Sequence, residues 1–130
     1  LSCLWKNQYN TYLMSSKSEC LFCRILRKEI PANVVLETEF ALAFRDLKPR
    51  APVHVLVIPK EHVPSLMGFE PRHAAMISGI HEAIQAVARK ENIAENGFRV
   101  VVNNGRDSGQ AVEHVHYHVL GGRPLGWPPG

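Results

Sequence analysis

The sequence predicts an α+β domain, a five-stranded antiparallel sheet carrying one long and one short helix. Two observations lead there. Short runs rich in Val, Leu, Ile and Phe recur between turn residues, and those that follow one another are joined by short connections, which favours antiparallel pairing. Between the third and fourth runs, Ile77, Ile80, Ile84 and Val87 recur at spacings of 3, 4 and 3, which places them on one helix face.

Taken in order, residues 1–17 have no clear period and none of the marks of a secretory signal, and they are expected to be a disordered extension. Met14 is a candidate natural start, and residues 18–130 form the domain. Cys20 to Lys28 carries Leu21, Phe22, Ile25 and Leu26 and suits a short helical turn, closed by Ile30-Pro31. Val34 to Glu37 is a strand, Thr38-Glu39 a turn, and Phe40 to Arg45 a strand in which Phe40, Leu42 and Phe44 alternate. A loop with two prolines leads to Val53–Ile58, an apolar strand interrupted by His54. Pro71 suits a first helical turn, and the long helix runs from there to about Asn92, helped by Ala74, Ala83, Ala86 and Ala88. Phe98 to Val102 is the fourth strand, and 103–110 is a polar loop with Gly105 and Gly109. The fifth strand is E-H-V-H-Y-H-V-L, Glu113 to Leu120.

The chain has 130 residues, 45% hydrophobic and 21% charged, enough for one core. A net charge of +3 without blocks of like charge argues against nucleic acid as partner, and no apolar run is long enough to span a membrane. Three cysteines, two of them in a C-x-x-C, do not make a secreted disulfide framework. They point to a reducing compartment, the cytoplasm, with mitochondrion and nucleus left open.

Chemistry concentrates in the fifth strand. His114, His116 and His118 are spaced by two, so a strand aims all three imidazoles at one face. Each can serve as nucleophile, acid, base or metal ligand. The bland alternative is a histidine-rich solvated edge. His54 is the second clue, with a backbone-bonded core histidine as its alternative. The 103–110 loop offers backbone N–H groups to an anion, or is an ordinary hairpin turn. Cys20 and Cys23 raise a zinc site, with His62 and His114 as the remaining ligands. Its rivals are a redox dithiol and two unpaired buried thiols.

The stretch H-V-H-Y-H-V-L-G-G-R resembles the signature of the histidine triad (HIT) superfamily. The match extends through C-L-F-C-R-I-L-R-K-E-I-P-A, F-R-D-L-K-P-R-A-P-V-H-V-L-V-I-P-K-E-H and R-V-V-V-N-N-G-R-D-S-G-Q to the terminal W-P-P-G, about residues 18–130. Gly-Gly-Arg after the triad and the W-P-P-G end resemble the Hint branch of nucleotide-binding proteins. The resemblance implies a homodimer with the sheet continued across both subunits. It implies purine nucleoside monophosphate binding and hydrolysis of nucleoside 5'-phosphoramidates through a nucleotidyl-histidine intermediate, with no cofactor required for catalysis. It makes His116 the nucleophile, with His118 and His54 on the phosphate and Asp46 on the ribose, near Phe44 and Leu47 at the base. Asn103, Gly109, Gln110 and Ala111 would line the phosphate end, and Trp127 would approach the other subunit's site. Some relatives bind a structural zinc through residues matching Cys20, Cys23, His62 and His114. Ala111 departs from the Ser or Thr usual in this branch and implies reduced activity or altered leaving-group preference. Glu113 stands where Tyr is frequent. The alternatives are a weakly active or non-catalytic binding module, and another HIT chemistry such as dinucleoside polyphosphate hydrolysis.

Overall fold

A computed structural model describes residues 19–130; the expected disordered extension, 1–17, lies outside the described residues. The elements follow the predicted order. They are α1 (Leu21–Leu26), β1 (Val34–Glu37), β2 (Ala41–Arg45), β3 (Val53–Pro59), α2 (Ala74–Lys90), β4 (Phe98–Val102) and β5 (Tyr117–Gly121). Short 3-10 turns at Leu66–Gly68, Pro71–His73 and Arg106–Ser108 punctuate the loops. The sheet is antiparallel throughout, in the order β1-β2-β3-β5-β4.

Both faces of the central strands are covered. Val55 and Val57 of β3 and Tyr117 and Val119 of β5 pack on one face against Ile80, Ala83, Ile84 and Val87 of α2. Ala41 and Ala43 keep β2 thin enough for that helix to approach. Gly79 of α2 lies against Phe40, where an added Cβ would sit 2.5 Å from the ring. Phe40 therefore precedes the strand and packs under α2, while Leu42 and Phe44 belong to the opposite face; the expected three-residue alternation breaks at its first member. The predicted helix start at Pro71 is a 3-10 turn, in which His73 Nδ1 accepts from the Glu70 N–H at 2.9 Å. The helix ends where Asn92 turns left-handed (φ 61) and the Asn92 and Ile93 N–H groups reach back to Arg89 and Ala88 carbonyls.

The opposite face carries α1, with Phe22, Cys20 and Cys23 packed on Leu42, Phe44, Leu56 and Ile58. The same alternation puts His54 and Leu56 of β3, and His118 and Leu120 of β5, on this side. Here the expected fifth strand is corrected. Pairing begins at Tyr117, opposite Val57 and Val102, so Glu113 to His116 lie outside it. The Val115 N–H is taken by the Val63 carbonyl at 2.7 Å, a loop contact that holds the segment off the ladder. Among the described residues no helix is long and apolar enough to cross a membrane.

Candidate active site and metal centre

A cavity of about 440 Å³ opens on the α1 face of the sheet, a size suited to a small-molecule ligand. Its apolar lining includes Leu21, Phe22, Ile25, Ile30, Phe44 and Leu47. The same cavity is lined by Asp46, His54, His116 and His118, with Asn103, Gly109 and Ala111 from the polar loop. Of the ten nucleotide-binding candidates, eight therefore share one cavity. Gln110 and Trp127 lie outside it. The Gln110 side chain braces the loop, accepting from the Gly105 N–H and donating to the Pro64 and Val112 carbonyls. Trp127 is 80% exposed in the single chain, with the Arg99 guanidinium 5.7 Å from its ring centre.

The hydrogen bonds fix where each imidazole carries its proton. His116 Nδ1 lies 2.8 Å from the His114 carbonyl, which can only accept. His116 therefore holds its hydrogen on Nδ1 and keeps a lone pair on Nε2. Burial lowers its pKa, outweighing the backbone carbonyl and Asp46, so the ring is neutral at pH 7. His54 is set from the other side. The Arg50 N–H donates to His54 Nδ1 at 3.0 Å, which leaves the hydrogen on Nε2. That hydrogen points at His118 Nδ1, 2.9 Å away. His118 Nδ1 is thus an acceptor, and the ring offers its Nε2–H to the cavity. Desolvation, with His116 and His54 nearby, pushes the His118 pKa down to about 4. Desolvation likewise lowers that of His54. The 3.4 Å approach of Asp46 Oδ2 to His54 Nε2 is accordingly a contact with a neutral ring rather than an ion pair. Asp46 is itself held in place, its Oδ1 accepting the Lys48 N–H at 2.8 Å.

The first histidine of the stripe turns to a different site. His114 is fully buried, and its Nδ1 lies 3.4 Å from Cys20 Sγ and 3.6 Å from Cys23 Sγ. His62 Nδ1 lies 3.3 Å from Cys23 Sγ, and all four ligand atoms fall within 4.8 Å of one another. Tetrahedral zinc with ordinary Zn–S and Zn–N lengths spaces sulfur and nitrogen ligands about 3.5 Å apart, so the donors fit that ion. His114 Nε2 donates to the Pro59 carbonyl at 3.0 Å, which fixes the tautomer with its lone pair toward the thiols. Burial pushes the Cys20 thiol up to about 12.

Two contributors escaped the sequence reading. Phe22 reads from the sequence only as an apolar residue of a short helical turn, yet its ring stands edge-on to His116 at 5.2 Å and lines the cavity. Its place between the two cysteines was the available signal. Arg50 acts through its main-chain N–H, which residue type does not reveal.

The chain matches the HIT domain family over residues 27–125. It is 44% identical to a 14 kDa zinc-binding protein of Zea mays over 115 residues, covering 87% of this chain and 89% of that one. It is 44% identical to adenylylsulfatase HINT1 of Arabidopsis thaliana over 117 residues, covering 88% and 79%. It is 40% identical to purine nucleoside phosphoramidase of Escherichia coli K12 over 108 residues, covering 83% and 91%. The crystal structure of a HIT family hydrolase from Legionella pneumophila superposes with a TM-score of 0.83 at 43% identity, covering 85% of this chain and 99% of that one. The chain therefore belongs to the histidine triad family.

Proposed function

We propose that this protein hydrolyses purine nucleoside 5'-phosphoramidates, with His116 Nε2 as the nucleophile. The observation that carries the reading is the neutral His116 ring, its Nδ1–H spent on the His114 carbonyl and its other nitrogen left with a lone pair in the cavity. The base lies against the apolar lining, near Phe44 and Leu47, and the ribose hydroxyls meet Asp46. The phosphoryl group then lies over His116 and His118, beside Asn103, Gly109 and Ala111.

In the first step His116 Nε2 bonds to phosphorus and the bond from phosphorus to the amine breaks. The amine leaves with a proton drawn from solvent at the cavity mouth. In the second step water oxygen bonds to phosphorus, the bond to His116 breaks, and the water's proton returns to solvent. One water is consumed per turnover. Splitting the displacement in two lets a neutral imidazole do what water alone does poorly. His118 Nε2–H donates to the phosphoryl oxygens as charge builds on them, oriented in advance by His54. Gln110 contributes indirectly by fixing the loop.

Cys20, Cys23, His62 and His114 would hold a structural zinc, which ties α1 to the loop after β3 and to the segment before β5. No step of the reaction passes through it. We further propose a homodimer in the cytoplasm. Among the described residues the outer edge of β4 has no neighbouring strand, and Phe98 and Val100 on it are 36% and 40% exposed, which suits pairing with a second copy. Trp127 would then approach the partner's cavity.

The test is AMP release from adenosine 5'-phosphoramidate by the wild type and His116→Ala, with AMP binding measured on both. Release that is abolished in the variant while binding persists supports the reading. No release by either protein, with AMP bound by both, replaces it with a nucleotide-binding module. The observation favouring that second reading is Ala111, which presents a methyl group to the cavity.

A further inference from the structure

Helix α1 belongs to both sites at once. It is only six residues long, too short to hold its shape by itself. Its cap is the Cys20 sulfur, which accepts the Cys23 N–H at 3.4 Å. Cys20 and Cys23 face His62 and His114, while Leu21, Phe22 and Ile25 from the same turns line the cavity. Phe22, between the thiols, stands edge-on to His114 at 5.9 Å, to His116 at 5.2 Å and to Phe44 at 5.6 Å.

We infer that a soft divalent cation at Cys20, Cys23, His62 and His114 sets how tightly the cavity holds the nucleoside, by fixing α1 as its wall, with Phe22 as the positioning residue. The inference rests on the nucleotide reading above and adds a control of substrate affinity by the metal centre. Among the described residues, the other hydrogen bonds that tether α1 side chains are those of Arg24 to Glu29, close by in sequence and exposed. The four donors link the helix to the distant loop after β3 and, beside the Phe22 ring contacts, to the triad segment. Without the cation, the thiols meet the imidazoles only through weak sulfur–nitrogen contacts. The wall then samples other positions, and a ligand must pay the cost of ordering it. The phosphate end is built largely outside α1, on His54 of β3, His118 of β5 and the Asn103 loop, and α1 reaches it through the Phe22–His116 edge contact.

The experiment compares zinc-loaded and chelator-stripped protein, each as wild type and as Phe22→Ala. Dissociation constants are measured for AMP and for ribose 5-phosphate, which lacks the base, together with amide exchange of α1 and of the sheet. Stripping should weaken AMP about tenfold, the scale of one or two lost aromatic contacts. Ribose 5-phosphate affinity should stay within about twofold, and exchange should quicken in α1 but not in β3 or β5. Loaded Phe22→Ala should already bind AMP weakly, and stripping should add nothing further. Equal AMP affinity with and without zinc overturns the inference, as does a parallel loss for both ligands or a zinc effect that persists in Phe22→Ala. If the loaded wild type binds neither ligand, the nucleotide reading itself has failed, a result distinct from each of these.

Discussion

Replacing His54 with Phe tests the proton arrangement directly. The phenyl ring has nearly the volume of imidazole and enters a site that is 6% exposed, so the packing of β3 is largely retained. What disappears is the donor to His118 Nδ1, at 2.9 Å, and the acceptor for the Arg50 N–H, at 3.0 Å. Arg50 is exposed, and water can satisfy its N–H. His118 is less accessible, and an acceptor left unmatched there costs about 1–3 kcal/mol. The ring can escape that cost by moving its proton to Nδ1. It then turns a lone pair instead of an N–H toward the phosphoryl oxygens. Either response removes stabilisation where charge develops, so kcat/KM for adenosine 5'-phosphoramidate should fall roughly ten- to hundredfold, at about 1.4 kcal/mol per factor of ten. Steady-state AMP release gives the rate, and nitrogen chemical shifts of His118 give the tautomer. A variant within about threefold of wild type, with His118 still protonated on Nε2, would show that His54 does not orient it.

Three further outcomes are expected. His118 has a folded pKa of about 4 against an ordinary 6.5, so between those values the unfolded chain binds a proton that the folded chain refuses. Its contribution is fully present above pH 6.5 and is lost as pH falls toward 4; urea midpoints should drop across that window, and less steeply in His118→Asn, an equal slope in both refuting the assignment. Zinc added to metal-free protein at pH 7 should bind once per chain and release protons, because the Cys20 thiol at about 12 is protonated until the ion arrives; calorimetry in buffers of different ionisation enthalpy counts them, and proton-neutral binding would place the ion elsewhere. Gly79→Ala should destabilise the fold despite its gain of about 1 kcal/mol in helix propensity. The new Cβ would lie 2.5 Å from Phe40 Cδ2 and 2.9 Å from its Cβ, an overlap costing about 1–3 kcal/mol, and a raised melting temperature would contradict it.

The element order was legible because each strand and the long helix bury a face, and burial writes a period into the sequence. His54 and His118 shared a face by parity alone, as their diagonal placement across β3 and β5 requires. Less was legible where the backbone leaves regular structure. Period two made Glu113 to Leu120 a single strand, yet the Val115–Val63 bond detaches its first half, and His114 serves the thiols while His116 and His118 face the cavity. That division depends on a loop over fifty residues earlier in the chain, which no local pattern encodes. Arg50 and Phe22 were hidden for related reasons, one acting through its main chain and the other serving as core and cavity wall together.

Two clusters of donors stand on the same face of this sheet, and hydrogen placement separates their chemistry. In the first, the Pro59 carbonyl takes the His114 Nε2 hydrogen, so a lone pair faces the two sulfurs, and the atoms are spaced for a tetrahedral cation. In the second, Asp46, His54 and His118 also bring three candidate ligand atoms within 4.8 Å of one another. There the Arg50 N–H occupies His54 Nδ1, so the Nε2 that faces the cluster bears a hydrogen and cannot ligate without giving up that bond. The hydrogen passes polarity on to His118, whose outward N–H suits an anion. A carbonyl at one ring and an amide N–H at another thus leave one histidine a lone pair suited to a cation and give His118 an N–H suited to an anion. The His114 backbone carbonyl links the two, because the residue whose ring faces the two thiols holds the His116 ring with its main chain.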